Sequence, residues 1–338
     1  VSSNPRPRTL VAMQQRVARW LLDEPATRRL VRLADVDPTL VVEDFTTDRA
    51  KAALADTEVL FTGWGCPPVD EQVLRDAPRL RAVVHAAGSV KHHVTDACWR
   101  RGIAVSSAAA ANALPVAEYT VAAILMGNKR IPAIAEHYRR TRVVQDWQAL
   151  FPWLGNYDRR VGIVGASKIG RRVIELLRPF DFEVLVTDPY LTEAEAAALG
   201  VTVVGIDELV RQCHVVSLHA PELPETRRLL DRRRLALMPT GATVVNTSRG
   251  SLIDTDALVA ELRQGRLHAV LDVTEPEVLP PDSPLFTLPN VTLTPHVAGS
   301  LGNELSRMTA LALDELDRWS RGLPLAHRVK PDVLDRSA

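Results

Sequence analysis

The chain has 338 residues, enough for two domains with sizeable cores. Its 46% apolar and 24% charged content is ordinary for a soluble globular protein, and 41 basic residues balance 41 acidic ones. The resulting formal net charge of zero gives no pull toward nucleic acid or an anionic membrane, so neither is expected as a partner.

Three scattered cysteines, Cys66, Cys98 and Cys213, are odd in number and lack metal-ligand spacing. They predict a reducing, cytoplasmic compartment with no structural disulfide and no metal site. Apolar runs read as far shorter than a membrane span, and the N-terminus has no charged-then-apolar signal layout. Val1 to Pro7 read as a disordered leader, and the missing initiator Met as trimming or an engineered end.

Strands and helices alternate along the chain, which predicts parallel sheet and an α/β fold. The early strands are Thr9 to Ala12, Leu40 to Phe45, Val59 to Thr62, Ala82 to His85 and Ile103 to Ser106, forming a smaller flavodoxin-like domain. The fourth ends in a small-residue loop, Ala86-Ala87-Gly88-Ser89-Val90, followed by Lys91 and His92. The helix from Pro115 through Met126 is too apolar all round to face water, so burial between domains or subunits is expected.

Residues 160–190 read as strand, tight turn, helix and strand. Val161-Gly162-Ile163-Val164 is an apolar run suited to a buried parallel strand. The turn is Gly165-Ala166-Ser167-Lys168-Ile169-Gly170; Arg171 to Leu177 has helical periodicity and Pro179 forces an exit. Phe182 to Thr187 is the next strand, ending at Asp188. A glycine turn at a helix N-terminus brings backbone N–H groups against a pyrophosphate, and an acid about twenty residues on bonds the ribose hydroxyls. Ser167 stands where the dinucleotide pattern has its second glycine; it is small, and its hydroxyl could itself contact phosphate. Asp188 would repel a 2′-phosphate, so NAD is favoured over NADP.

Further on, the apolar strand Val215 to Leu218 leads to His219, placed to line a cofactor cleft. Arg249 follows the strand Thr243-Val244-Val245-Asn246, at the C-terminal end where open α/β sheets put ligands. Two acids, Glu275 and Glu277, follow Leu271-Asp272-Val273, and His296 sits between Thr294-Pro295 and Ala298-Gly299. A guanidinium holds a carboxylate by a two-pronged hydrogen bond. An imidazole beside a carboxylate is favoured in its protonated form and donates a proton near neutral pH. Together these groups suit reduction of a 2-keto acid, given a hydride source. His92-His93, His137, His268 and His327 read as solvent-facing or structural. The amphipathic helix Asn303 to Ser320 would return the chain to the first domain.

From about Val83 to Gly299 an ordered set of motifs resembles the D-isomer-specific 2-hydroxyacid dehydrogenases. It comprises the glycine turn, Ser217-Leu218-His219-Ala220-Pro221 with Glu225-Thr226, Asn246 to Gly250, Leu271-Asp272-Val273, Asp282 to Leu285, Leu288 to Val291 and Thr294-Pro295-His296. The resemblance implies a Rossmann-type NAD-binding domain over 112–299. A discontinuous substrate domain would take 1–111 and 300–338, with the active site in the cleft between the two parts. It implies that Arg249, Glu277 and His296 are catalytic: Arg249 grips the substrate carboxylate, His296 donates the proton, and Glu277 keeps His296 protonated. The family spacing selects Glu277 over Glu275. It implies cofactor contacts from Gly165, Ser167, Lys168, Ile169, Gly170, Asp188, His219, Ala220, Pro221, Thr226, Thr247, Asp272, His296 and Gly299, with Asp272 near the nicotinamide carboxamide. Ala87, Gly88 and Ser89 would receive substrate together with Arg249 and His296. The loop departs from the usual Gly-rich, Asp-containing pattern, which leaves the substrate unnamed. The helix after Asn112 and the aromatic segment holding Tyr138, Trp147, Phe151 and Trp153 would form a two-fold dimer arm.

The expectation is therefore an NAD-dependent D-2-hydroxyacid dehydrogenase, or 2-keto acid reductase, working as a homodimer on a small 2-keto or 2-hydroxy acid. Its rivals are a dinucleotide-sensing, corepressor-like binding protein on the same scaffold and a formate- or phosphite-type dehydrogenase.

Overall fold

A computed structural model describes residues 6–151 and 154–334. The chain divides into two compact units, Val1–Asn112 with Ser300–Ser337, and Ala113–Gly299. Of the expected leader, residues 1–5 lie outside the described residues, as does Trp153 of the expected dimer arm. Pro7 departs from the leader expectation. It is buried, and its carbonyl accepts from the Thr9 hydroxyl at 3.1 Å and the Asp35 amide at 3.1 Å.

The first unit holds five parallel strands: β1 (Thr9–Ala12), β2 (Val41–Val42), β3 (Val59–Thr62), β4 (Ala82–His85) and β5 (Ala104–Ser107). Their order is β2-β1-β3-β4-β5, the flavodoxin-like order. β1, β3 and β4 are buried at every residue, because helices cover both faces, and polar side chains occur only at their ends. Leu10, Leu60 and Val83 pack on one face. Val11, Phe61 and Val84 pack on the other against Met308, Ala312 and Leu316 of the helix Leu305–Ser320. The strand expected over Leu40 to Phe45 shrinks to two residues. β2 is an edge paired only with β1, and the polar residues after it serve other ends. Glu43 accepts the Gln15 amide at 2.8 Å, and Asp44 takes the amide and hydroxyl of Thr46, each at 2.8 Å.

The second unit carries seven parallel strands: β6 (Arg159–Val164), β7 (Phe182–Thr187), β8 (Thr202–Val203), β9 (Val215–Leu218), β10 (Thr243–Asn246), β11 (His268–Leu271) and β12 (Val291–Leu293). Their order is β12-β11-β10-β9-β6-β7-β8. The chain builds outward from β6 in one direction and then, from β9, in the other. This reversal is the topological switch point, where open α/β sheets bind ligands beyond the carboxyl ends of the strands.

One sequence expectation needs correcting. The helix Ala109–Asn128 is, by length and composition, apolar enough to cross a membrane. Its burial gives the composition another reason: Ala117 and Ile124 belong to a core with Val161, Ile163, Val215 and Val245 of the sheet. Only part of its surface is covered, since Ala122 and Met126 stay exposed. Past its end, Arg130 takes a left-handed φ of 52° and turns a buried guanidinium inward. That group donates to the Gly127 carbonyl at 3.1 Å, the Thr243 hydroxyl at 2.7 Å and the Gly241 carbonyl.

Candidate active site

The glycine turn follows β6. Gly165 has φ +96°, and a Cβ there would lie 2.7 Å from the Ala220 amide nitrogen. A Cβ on Gly170 would lie 2.1 Å from the Gly165 carbonyl oxygen, so the turn and the helix Lys168–Leu177 close together only if both residues are glycine. Ser167 is different. It is the helix N-cap with φ −65°, where no glycine is required, and its hydroxyl accepts the Gly170 amide at 3.3 Å. The hydroxyl oxygen is thus engaged by its own helix, while its proton remains available to donate. Lys168 is exposed and Ile169 half-buried.

Asp188, at the tip of β7, braces this turn. One carboxylate oxygen accepts the Ala166 amide at 2.7 Å and the other the Tyr190 amide at 2.7 Å. Each oxygen keeps a further acceptor position for a ribose hydroxyl. His219 is buried, with Nε2 2.9 Å from the Ser217 hydroxyl and Nδ1 without a partner. Burial pushes its pKa down to about 3, so it is neutral and is not a proton donor at neutral pH. Ala220 is fixed by its carbonyl, which accepts the Ser248 hydroxyl at 2.8 Å. Thr226 binds the Pro221 carbonyl at 2.7 Å and shapes the loop, while Thr247 lies buried 3.0 Å from the Thr120 hydroxyl.

Arg249 follows β10. The Asn246 side chain accepts the Ser248 amide at 3.0 Å and donates to the Arg249 carbonyl at 2.8 Å, fixing the backbone that presents the guanidinium. That guanidinium donates to the Ser248 carbonyl at 2.7 Å, and among the described residues no carboxylate pairs with it. A Cβ on Gly250 would lie 2.0 Å from the Thr274 carbonyl carbon, so the missing side chain lets the Arg249 loop lie against the segment that leads to Glu277.

His296 Nδ1 lies 2.7 Å from a Glu277 carboxylate oxygen, with half or more of both side chains exposed. Glu275 points elsewhere and pairs with Arg227 at 2.8 Å. Asp272 builds the histidine loop. One of its oxygens accepts the Thr294 hydroxyl at 2.6 Å and the Val297 amide at 2.8 Å, and the other the Ala298 amide at 2.9 Å. The His296 amide donates to the Asp272 carbonyl at 2.8 Å, and His296 is held at a left-handed φ of 57°. Asp272 is only 1% exposed, and its carboxylate scaffolds the histidine loop. Sequence reasoning missed this role. The small residues Ala298 and Gly299 after the histidine were the available signal. Gly299 is half-buried and Pro221 partly exposed.

In the first unit, the Ala86 amide donates to the Thr62 carbonyl at 2.8 Å. The next three amides, of Ala87, Gly88 and Ser89, find no acceptor among the described residues. Consecutive unpartnered N–H groups at a strand's carboxyl end suit an anion. No group of three or more His, Cys, Asp or Glu able to hold a metal occurs among the described residues.

Comparison with known proteins defines the class. Residues 121–298 match the profile of the D-isomer specific 2-hydroxyacid dehydrogenase NAD binding domain. The glycine cradle and Asp188 fit that cofactor, and the second unit is a Rossmann-type NAD-binding domain. A glyoxylate reductase from Korarchaeum cryptofilum is 32% identical over 79% of this chain and 81% of its own length. The chain belongs to the D-isomer specific 2-hydroxyacid dehydrogenase family. A D-3-phosphoglycerate dehydrogenase from Mycobacterium tuberculosis is 32% identical over 85% of this chain but 54% of its own length, so the chain spans about half of that relative. The D-lactate dehydrogenase of Aquifex aeolicus, solved with NAD and lactic acid, has a TM-score of 0.71 at 25% identity, covering 93% of this chain and 95% of that one.

Proposed function

We propose that this protein is an NADH-dependent 2-keto acid reductase, working reversibly as a D-2-hydroxyacid dehydrogenase. The observation that carries the reading is the 2.7 Å His296–Glu277 pair in the same unit as an arginine with no carboxylate partner among the described residues. Bound NADH supplies the hydride that reduces the keto carbon to a carbinol. Arg249 holds the substrate carboxylate through its planar fork. His296, hydrogen-bonded through Nδ1, gives the Nε2 proton to the developing alkoxide, and Glu277 stabilises the imidazolium before transfer. In the oxidative direction the same imidazole, neutral, takes the hydroxyl proton. In the first unit, read as the substrate domain, the Ala87–Ser89 amides are donors suited to a carboxylate.

The protein works as a homodimer in this reading. Met126, Ile131, Tyr138, Val143, Val144, Leu150 and Tyr157 are all exposed within 32 residues, and no side chain of the helix Ile131–Thr141 is fully buried. A cavity of about 160 Å³ lined by Met126, Arg130, Pro132 and Pro289 lies beside this helix. So concentrated an apolar face suits a second copy of the chain. Three free, buried cysteines accord with a cytoplasmic setting.

A panel of 2-keto acids with NADH or NADPH, followed by loss of reduced-nicotinamide absorbance, tests the activity. Turnover with NADH on at least one member is expected. Tight NADH binding without turnover of any member would point instead to a dinucleotide-sensing protein.

A further inference from the structure

We propose that Thr62, His85 and His93 form a positioning clasp that holds the Ala87–Ser89 amides in their anion-receiving arrangement. The inference rests on the carboxylate reading of that loop given above.

Thr62 ends β3 and His85 ends β4, and the two residues are register partners. The Thr62 hydroxyl lies 2.9 Å from His85 Nδ1 and 3.4 Å from His93 Nε2. The two rings meet at 4.4 Å between centroids, tilted by 40°. Thr62 is fully buried, and His85 and His93 are 2% and 3% exposed. His85 stands at the start of the loop and His93 at its end, so one hydroxyl ties both stems. The main chain adds to this. The His93 and Val94 amides both donate to the Val90 carbonyl, at 3.2 and 2.9 Å, and the Val69 amide donates to the His93 carbonyl at 2.8 Å. Between the stems, the amides of Ala87, Gly88 and Ser89 are left without an acceptor among the described residues.

A single hydroxyl proton can donate to only one ring nitrogen, so the oxygen must accept from the other ring. With both rings neutral, that pairing sets them in complementary tautomers, one nitrogen accepting and the other carrying its proton. Burial keeps both neutral: it holds His85 well below the usual imidazole range, and it pushes His93 down to about 4. A buried apolar pair would fill the same space without fixing where the stems lie. The hydrogen-bonded trio fixes a direction as well as a volume, and removing its centre leaves two buried ring nitrogens unpaired. None of the three is assigned to contact substrate. They act through the loop.

The test uses the full chain, saturated with NADH, and titrates oxamate as a carboxylate-bearing keto-acid mimic. Thr62→Val keeps the shape and removes the hydroxyl, whereas Thr62→Ser keeps it. Thr62→Val is expected to weaken oxamate about fivefold and leave the NADH Kd within about twofold, with Thr62→Ser close to the parent. A Thr62→Val protein of lowered Tm but unchanged oxamate Kd would show the trio to be ordinary core and overturn the proposal. If Thr62→Val does not fold, His93→Gln, which keeps a donor near Nε2, should bind oxamate better than His93→Leu; equal binding overturns it. Should the parent protein neither bind oxamate nor reduce any 2-keto acid, the carboxylate reading falls and the clasp falls with it. An active parent with an unaffected Thr62→Val variant removes the clasp alone.

Discussion

Single residues divide the labour at this site by how their hydrogen bonds are already spent. Asp188 uses one position on each carboxylate oxygen for the turn amides of Ala166 and Tyr190. Asp188→Ala should therefore do two things: lose a brace on the glycine turn, and remove the charge that opposes a 2′-phosphate. NADH should bind more weakly and the preference over NADPH should narrow; titration showing an unchanged NADH/NADPH ratio would contradict the ribose assignment. Arg249 differs in having no carboxylate partner among the described residues. Arg249→Lys keeps the charge and loses the fork. It should raise KM for the keto acid and lower kcat, about tenfold or more in kcat/KM, with NADH affinity nearly intact. A loss confined to NADH binding would make the arginine a cofactor or scaffold residue.

At the scale of elements, the strand–turn–helix–strand from β6 to β7 was legible because its chemistry is local. Gly165 and Gly170 mark the two close approaches, Pro179 the exit, and Asp188 the strand tip. Ser167 was legible as a tolerated residue but not in its role, because capping depends on which way the hydroxyl turns. Gly170→Ala sets a Cβ 2.1 Å from a main-chain oxygen, where no flexible side chain can yield. NADH affinity should fall roughly tenfold or more, with a lowered Tm; an alanine variant with parental NADH affinity would show that the turn does not need this contact. Other features were not legible, for reasons of distance. The shortening of β2 follows from its edge position, which no local pattern reveals. The scaffold role of Asp272 was hidden because the loop its carboxylate builds lies more than twenty residues on. His93 was read as surface or structural, and only the pairing of β3 with β4 brings Thr62 beneath it.

Across the whole molecule, both units bury neutral histidines. His93 in the first is pushed down to about 4, as is His268 in the second, and His219 to about 3. For each, the unfolded chain binds a proton that the folded chain refuses, so folding is favoured fully above the ordinary imidazole value. That contribution is lost as pH falls from there through the folded values. His93 alone should cost about 2 kcal/mol of stability by pH 5. Denaturant midpoints should fall steadily from pH 7 to pH 5, and a flat profile would contradict the burial of these rings. The exposed face over residues 126–157 predicts a dimer mass by light scattering. Tyr138→Arg, at an exposed position of a helix with no fully buried side chain, should shift the mass toward the monomer with little loss of Tm.

The central claim, that His296 is the proton source and Glu277 its partner, is tested most directly by the pH dependence of kcat/KM for keto-acid reduction. Glu277→Gln removes the negative charge held 2.7 Å from the imidazole, whereas Glu275→Gln disturbs only a pair with Arg227. The alkaline limit of reduction should move to lower pH in Glu277→Gln and stay in place in Glu275→Gln. A profile moved by Glu275→Gln alone, or by neither variant, would contradict the account.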